Sequence, residues 1–590
     1  MAFPAAALIA ALALPIIGIP VFVARLIETA AVFTMLVSSF NLTFGYAGEL
    51  TFNQLFLFAA GGVTAGYLEV SAKQTDFLIA LPVVALVAVV IGLPLGLPGL
   101  RFGYLSSAMV SLFLIALFPT ALQAAKPFTG GLFGIALPTL AGIQLDNTSF
   151  YLMVIVVAGG WLIVMRNLTV SHWGERLQVL RTSPILAQTL GLSPIRLKLA
   201  VYALSCVPAA IAGALFAYMN TVVLPIDITG ALLLLGGSVI GGAVTVYGAI
   251  VGAVAVEIVP YLYLSLAGTF DVLLGLGLIL TTLILPGGAA QVGRLIRERW
   301  LPASYPIRRP DISTDRQARG ADIVMSGVRR RFGGVSALDG VDFDARPGRV
   351  TAIVGPNGSG KTTLLNAITG AVTVEAGSIK VAGREVSGKP PDWIARRGIR
   401  RTFQTPLVPA TSILSAVIAG RLDRPHPGFL ATVARLPGFR RSRSQDQVAA
   451  AAALHRVGIK VRASLPVSEL PVATRRLVEV ARAIAAEPSV VLLDEPAAGL
   501  DDSELATLGG VLKGLCDMGI TVVVVEHNLS FVLSIADTLY VMQEGRAIAN
   551  GDPAAVLRNP EAQAAFLGGI EGFAGQQPIE TVASFESRGC

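Results

Sequence analysis

Cysteine is nearly absent from this 590-residue chain. The three that occur, Cys206, Cys516 and Cys590, are too far apart to match any metal or redox spacing, and no disulfide framework follows. Charge is scarce as well: Asp, Glu, Lys and Arg make up 14% of residues against 54% hydrophobic, with a mean hydropathy of +0.69. That balance excludes an ordinary soluble protein. The scarcity is uneven. Between Met1 and Met165 the ionisable acids and bases, tyrosine aside, are only Arg25, Glu28, Glu49, Glu69, Lys73, Asp76, Arg101, Lys126 and Asp146, whereas the sequence from Arg294 onward has an ordinary soluble composition. The formal charge is +7, from 45 basic and 38 acidic residues. Basic runs such as Arg329-Arg330-Arg331 and Arg400-Arg401 are not interleaved with aromatics. They read as solvated faces or lipid-headgroup contacts, and no nucleic-acid partner is expected.

What is abundant is long apolar sequence. A helix crossing ~30 Å of hydrocarbon needs about 20 mostly apolar residues. Candidate spans lie near 4–24, 26–44, 52–70, 77–98, 102–122, 149–165, 199–219, 229–245, 247–264 and 270–286, about ten in all. Met1 to Ala24 has no basic n-region and runs straight into further apolar sequence, so it reads as a first span and not as a signal peptide. The loop from Arg166 to Lys198 carries Arg166, Arg176, Arg181, Arg196 and Lys198 against Glu175, and basic residues follow the last span. The excess of Lys and Arg puts both stretches, and with them the N-terminus, on the cytoplasmic side. Domain boundaries follow: a transmembrane domain over 1–298, a Pro-punctuated linker over 299–320, an α/β domain over 321–569 and a tail over 570–590.

The α/β domain carries its chemistry in two places. The strand-like run Val350-Thr-Ala-Ile-Val354 leads into Gly355-Pro356-Asn357-Gly358-Ser359-Gly360-Lys361-Thr362-Thr363 and then an apolar-periodic helix. This is a P-loop in strand–loop–helix context. Its glycines turn backbone N–H groups toward phosphates, Lys361 adds a point charge, and the Thr362 hydroxyl suits Mg²⁺. The run Val490-Val491-Leu492-Leu493 ends in Asp494-Glu495, as a buried parallel strand delivering acids at its C-terminal edge would. Asp494 is expected to hold Mg²⁺ and Glu495 to polarise the attacking water.

Residues 321–569 resemble the ATP-binding cassettes of ABC transporters, most closely those of branched-chain amino acid importers. The resemblance rests on Leu493-Asp-Glu-Pro-Ala-Ala-Gly-Leu-Asp501, on Val525-Glu-His-Asn528, on Arg401-Thr-Phe-Gln404 and on Arg331-Phe-Gly-Gly334. It implies that His527 is the switch histidine, that Gln404 is a Q-loop glutamine near Mg²⁺ and the attacking water, and that Phe332 stacks on adenine. In the first half, Asn41-Leu-Thr-Phe-Gly-Tyr-Ala-Gly48 with Leu50-Thr-Phe-Asn-Gln54 is similar to a permease motif of the same importers. Residues 174–191 resemble their cytoplasmic coupling segment, with Leu177, Leu180, Ile185, Leu186 and Leu190 as its apolar face. One departure stands out. Where the family carries Leu-Ser-x-Gly-Gln, this chain reads Leu470-Pro471-Val472-Ala473-Thr474. Pro471 removes a hydroxyl and an N–H, and Ala473 adds a methyl where backbone should approach phosphate.

The expectation is an all-α polytopic permease followed by an α/β P-loop cassette with a small helical subdomain, roughly 420–480. The resemblance implies ATP-driven import of an amino acid, of the branched-chain type, or a related small polar solute across the inner (plasma) membrane, with ATP and Mg²⁺ as cofactors. It implies as partners a second permease, a second cassette with an intact signature and an extracytoplasmic solute-binding protein, besides membrane lipid. The alternatives are an exporter half-transporter, or a membrane subunit whose cassette is only a regulatory or structural ATP clamp.

Overall fold

The structure is a computed structural model and describes residues 11–15, 18–73, 76–101, 104–129, 146–220, 228–258, 270–285, 287–293, 320–405, 407, 411–459 and 465–568. The expected linker up to residue 319 and the tail lie outside those residues, as do 4–10 of the first expected span and 259–264 of the ninth. The chain forms two compact units. One comprises Met1–Ala187, Leu192–Tyr305 and Pro425–Arg443; the other comprises Gln188–Gly191, Pro306–Arg424 and Ser444–Cys590.

The first unit is helical: α1 (Val21–Asn41), α2 (Asn53–Val70), α3 (Phe77–Arg101), α4 (Tyr104–Ala124), α5 (Asn147–Thr169), α6 (His172–Thr182), the short α7 (Pro184–Thr189, which runs on into the second unit), α8 (Pro194–Asn220), α9 (Ile228–Gly241), α10 (Val246–Ala253) and α11 (Phe270–Ile284). Among the described residues, 6 helices are long and apolar enough to cross a membrane: Val21–Tyr46, Phe77–Leu97, Leu105–Ala124, Asn147–Thr169, Pro194–Asn220 and Gly275–Gly293. The sequence suggested about ten spans by the ~20-residue criterion. Part of the difference has a local cause. The apolar stretch over 228–258 is cut at Gly242, whose φ of 106° stops α9, and Thr245 then caps α10. That leaves two helices too short to count as spans.

Helix contact in this unit is made by small residues. A β-carbon on Gly61 would collide with the Ala210 carbonyl, and one on Gly213 with the Phe58 carbonyl. Backbone therefore meets backbone where α2 packs on α8, as small residues permit. The rings of Phe33, Phe58 and Phe216 fill the centre, with centroids 5.6–6.0 Å apart. The motif Asn41–Gln54 begins in a π-helical turn, Leu42–Tyr46, and is buried as a polar layer. Gln54 Nε2 donates to Thr43 Oγ1 (3.0 Å), and Ser238 Oγ donates to Asn41 Oδ1 (2.5 Å).

The second unit is α/β. Antiparallel β2 (Val335–Ala345), β1 (Ile323–Phe332), β4 (Ala376–Val381) and β5 (Arg384–Glu385) form one sheet in that order. The other has the order β10 (Arg546–Gly551), β9 (Thr538–Gln543), β3 (Val350–Val354), β8 (Thr521–Val525), β7 (Val490–Asp494), β6 (Ile399–Arg401) and is parallel from β9 to β6. β3, β7 and β8 are buried at every position, which is why they read as continuous apolar runs. The expected helical insert is present as Ile413–Ile418, Phe429–Val433, Pro437–Arg456 and Val472–Ala485. Its residues Pro425–Arg443 group with the membrane unit. There Asn167 Nδ2 donates to the Val433 carbonyl (2.8 Å), Arg443 pairs with Glu175 (2.6 Å), and the His172 and His426 rings lie 3.9 Å apart.

Candidate functional site: a phosphate cradle facing two acids

The parallel sheet sets the site. β7 pairs with β8 so that Asp494 lies opposite Val525, and β3 pairs with β8 so that Ile353 lies opposite Val525. The P-loop, the Asp494-Glu495 pair and the Glu526-His527 pair therefore emerge together at the C-terminal edge of the sheet, where open α/β sheets bind ligands.

The loop after β3 depends on glycine. Gly355 (φ 151°) and Gly360 (φ 101°) adopt backbone conformations that L residues avoid. A β-carbon on either would strike backbone, the Met542 carbonyl and the Ala337 carbonyl respectively. Gly360 is the N-cap of α12 (Lys361–Ile368), so that helix points its N-terminal N–H groups into the loop. Lys361 Nζ folds back to donate to the carbonyls of Gly355 and Pro356, each at 2.8 Å. Burial lowers its pKa, and the nearby Glu495 and Asp494 carboxylates oppose that. The Ser359 hydroxyl is buried without a hydrogen-bond partner, Gly358 adopts φ 82°, and Thr362 is exposed at the helix start. A cradle held open by glycine and an unsatisfied buried hydroxyl both fit an anionic phosphate.

The structure brings together most of the predicted groups. Asp494 is 3% exposed and Glu495 follows it at φ 49°, an uncommon and strained conformation for a non-glycine residue. Gln404 Nε2 donates to Glu495 Oε2 at 2.9 Å. His527 is not part of that contact: its side chain is 63% exposed and its Nδ1 lies 3.7 Å from Glu526 Oε2. Phe332, at the end of β1, is exposed instead of packed in the core, and the Arg330 guanidinium lies over its ring at 4.7 Å.

Four groups of residues at the site escaped the sequence reading. Arg400 and Arg401, read there as a solvated basic run, are buried at 3% and 8% exposure. Arg400 pairs with Asp423 (2.5 Å), and Arg401 donates to Asp494 Oδ2 (2.9 Å) and to Asn366 Oδ1 (2.6 Å). Their position on β6, next to β7, turns them inward. Arg476 Nη1 donates to the Glu495 carbonyl at 2.6 Å. It extends from α13 (Val472–Ala485), the helix whose N-cap is Pro471. The buried pair Glu479–Arg482 on the same helix holds Leu407 by both its N–H and its carbonyl. Glu526, quoted in the sequence only as a neighbour of His527, accepts from the N–H of Ala497 (2.6 Å) and of His527 (3.1 Å). Its burial raises its pKa, and those hydrogen bonds resist the shift. The only advance signal was adjacency to the predicted motifs.

The expected coupling segment is helical. α6 starts at a Ser171 cap and α7 follows directly. Leu177, Leu180, Leu186 and Leu190 are buried as expected, but Ile185 is 56% exposed. One residue turns about 100° around α7, which carries Ile185 off the face that buries Leu186. The last residues, Gln188–Gly191, group with the cassette: Arg396 Nε donates to the Gly191 carbonyl (2.7 Å), and Thr189 lines a small cavity with Thr369, Ile394 and Arg401.

A glycine cradle, a lysine and two acids on a parallel sheet define a P-loop nucleotide-hydrolysing cassette. A family model described as ABC transporter matches residues 338–498, and one described as branched-chain amino acid transport system / permease component matches residues 22–283. The high-affinity branched-chain amino acid transport ATP-binding protein LivG of Salmonella typhimurium is 33% identical over 248 residues, 42% of this chain and 97% of LivG. Its counterpart BraF of Pseudomonas aeruginosa is 34% identical over 246 residues, 41% of this chain and 96% of BraF. A crystal structure of the ADP conformation of MJ1267, an ATP-binding cassette of an ABC transporter, is 30% identical and covers 42% of this chain and 99% of its own, with a TM-score of 0.37. The chain belongs to the ABC transporter family of the branched-chain amino acid type, with permease and ATP-binding cassette in one polypeptide. It is a membrane protein and a transport-coupled ATPase whose cassette binds ATP.

Proposed function

We propose that this chain imports a branched-chain amino acid, or a related small polar solute, across the inner (plasma) membrane as the fused permease and ATPase of an ABC importer. The observation that carries the reading is the meeting of Lys361, Asp494, Glu495 and Gln404 at one sheet edge, in a chain whose first half matches the permease component of branched-chain transport. The names of LivG and BraF support the substrate class. The arginine-rich stretch Arg166–Lys198 supports a cytoplasmic cassette and N-terminus.

In this reading Glu495 orients the attacking water, and Gln404, already hydrogen-bonded to it, senses its position. Lys361 and the loop N–H groups hold the β- and γ-phosphates, Phe332 faces adenine, and His527 swings toward the γ-phosphate when two cassettes close. The hydroxyl of Thr362, the carboxylate of Asp494 and the amide oxygen of Gln404 are an all-oxygen donor set that fits Mg²⁺, which would neutralise phosphate charge. Arg401 neutralises Asp494 and fixes its rotamer.

The partners in this reading are a second permease, a second cassette with an intact signature and an extracytoplasmic binding protein. One observation favours the clamp reading, the Pro471 and Ala473 departure in the signature. ATP hydrolysis and labelled leucine uptake, measured on the purified complex with and without a binding protein, separate the readings. Import stimulated by the binding protein supports the proposal; ATP binding without turnover supports the clamp; efflux from loaded vesicles supports an exporter.

A further inference from the structure

Four acidic side chains of the membrane unit are buried among the described residues: Glu28, Glu49, Glu69 and Glu175. Three have cationic partners. Glu28 pairs with Arg25 at 3.3 Å, Glu49 with Lys198, and Glu175 with Arg443 at 2.6 Å. Glu69 is the exception. It is 5% exposed, and neither of its carboxylate oxygens has a hydrogen-bond partner. A carboxylate left unpaired away from water is strongly disfavoured, and in a membrane unit such a group marks a ligand or ion path.

Its position is defined by the helices around it. α2 and α8 run in the same direction, since Gln54 meets Ser205 and Gly61 meets Ala210. α3 returns beside them: Asn53 Nδ2 donates to the Leu95 carbonyl, and Gly92 faces Cys206. Glu69 near the end of α2, Tyr218 near the end of α8 and Phe77 at the start of α3 therefore share one end of the bundle. The Lys198–Glu49 pair and the Arg181 bond to the Gly45 carbonyl lie at the other. The Glu69 carboxyl lies within electrostatic reach of the Tyr218 phenol. Tyr218 packs edge-on against Phe77 at 4.8 Å, and Phe77 packs on Phe150 at 6.3 Å. A lone carboxylate beside a wall of aromatic rings is the chemistry that recognises an organic ammonium group, by charge and by cation–π attraction.

We propose that Glu69, with Tyr218 and Phe77 beside it, is the permease site that receives the ammonium group of the transported solute, at the end of the bundle away from the arginine-rich loop. The assignment rests on the amino-acid reading above and makes it specific: the solute must carry a protonated amine, and a carboxylate or keto acid of the same shape is refused.

The test uses the assembled transporter in nanodiscs without any binding protein, so that only the membrane unit recognises the probe. Tritiated leucine binding is displaced with isopentylamine, which keeps the amine, or with 4-methyl-2-oxopentanoate, which lacks it. The expected result is displacement by the amine alone. Glu69→Gln should weaken leucine binding by ~30-fold or more, the scale of removing one partner of a buried charge pair, with the amount of chain in the membrane unchanged. Glu69→Asp, which keeps the charge, should retain most of the affinity. Wild-type affinity in Glu69→Gln would show that the acid sits there neutral, and would overturn the assignment, as would equal displacement by the keto acid. Leucine uptake by the wild-type complex keeps the two ideas apart. Uptake that Glu69→Gln leaves unchanged sinks the Glu69 site alone, whereas a complex that takes up only amine-free solutes sinks the amino-acid reading with it.

Discussion

Glu495 and Lys361 meet at one sheet edge but should fail differently. Glu495→Gln keeps the side chain's shape and its contact with Gln404 while removing the carboxylate that orients water. It is expected to leave ATP binding intact and to lower turnover by ~10²–10⁴-fold, the usual worth of a positioned acid or base. Lys361→Ala should weaken nucleotide binding itself. Filter binding of labelled ATP alongside phosphate release distinguishes the two, and near-normal hydrolysis in Glu495→Gln would remove it from the role of base. Arg401 makes a separate prediction. It and Asp494 are both almost fully buried, with side-chain exposures of 5% and 4%. Arg401→Ala strands a carboxylate and should destabilise the cassette by ~3–5 kcal/mol. The double change Arg401→Met with Asp494→Leu should recover much of the melting temperature while abolishing hydrolysis. A melting point unmoved by Arg401→Ala would mean that the pair is not formed in solution.

At the scale of elements, the segment 174–191 was legible as a short amphipathic helix because its leucines recur at helical spacing. The exposure of Ile185 was not, because spacing cannot say which of two neighbours turns inward. The structure buries Leu180 and Leu186 at 2% and 0% exposure, so replacing both with Asp should cost the fold of the segment and not merely its coupling. Arg396→Ala is the cleaner probe. It removes the hydrogen bond to the Gly191 carbonyl from a side chain that belongs to no predicted catalytic group. The expected outcome is ATPase activity near wild type with fewer leucine molecules imported per ATP, read by measuring both fluxes in the same vesicles. An unchanged ratio would exclude Arg396 from coupling.

For the whole molecule, the signature departure predicts an unequal assembly. Cassettes that close around ATP pair one chain's P-loop with the other chain's signature. This chain has a complete P-loop side, while its α13 is capped by Pro471 and carries Ala473 buried behind it. Two copies would make two poor sites, whereas a different cassette with an intact signature would make one good site and one slow one. A missing phosphate donor can cost ~10²–10³ in rate. Glu495→Gln here should therefore stop most hydrolysis, and the matching change in the partner should cost far less. Equal losses, or full activity from this chain alone, would rule out the asymmetric assembly.

The sequence by itself determined the two-part architecture, the P-loop and the acids at the end of β7. Each is written locally: twenty-residue apolar runs have only the membrane to enter, and a glycine loop between strand and helix has few uses other than phosphate. Asp494 and Lys361 were legible for that reason. The tertiary structure decided what depends on pairing across the chain. It turned Arg401 from an apparent surface charge into the partner of Asp494, because β6 lies beside β7. It split the apolar stretch over 228–258 into short helices at a left-handed glycine. It left Glu69 without the cation that the other buried acids among the described residues of the membrane unit have found, a property of three helix ends brought together and of no single segment.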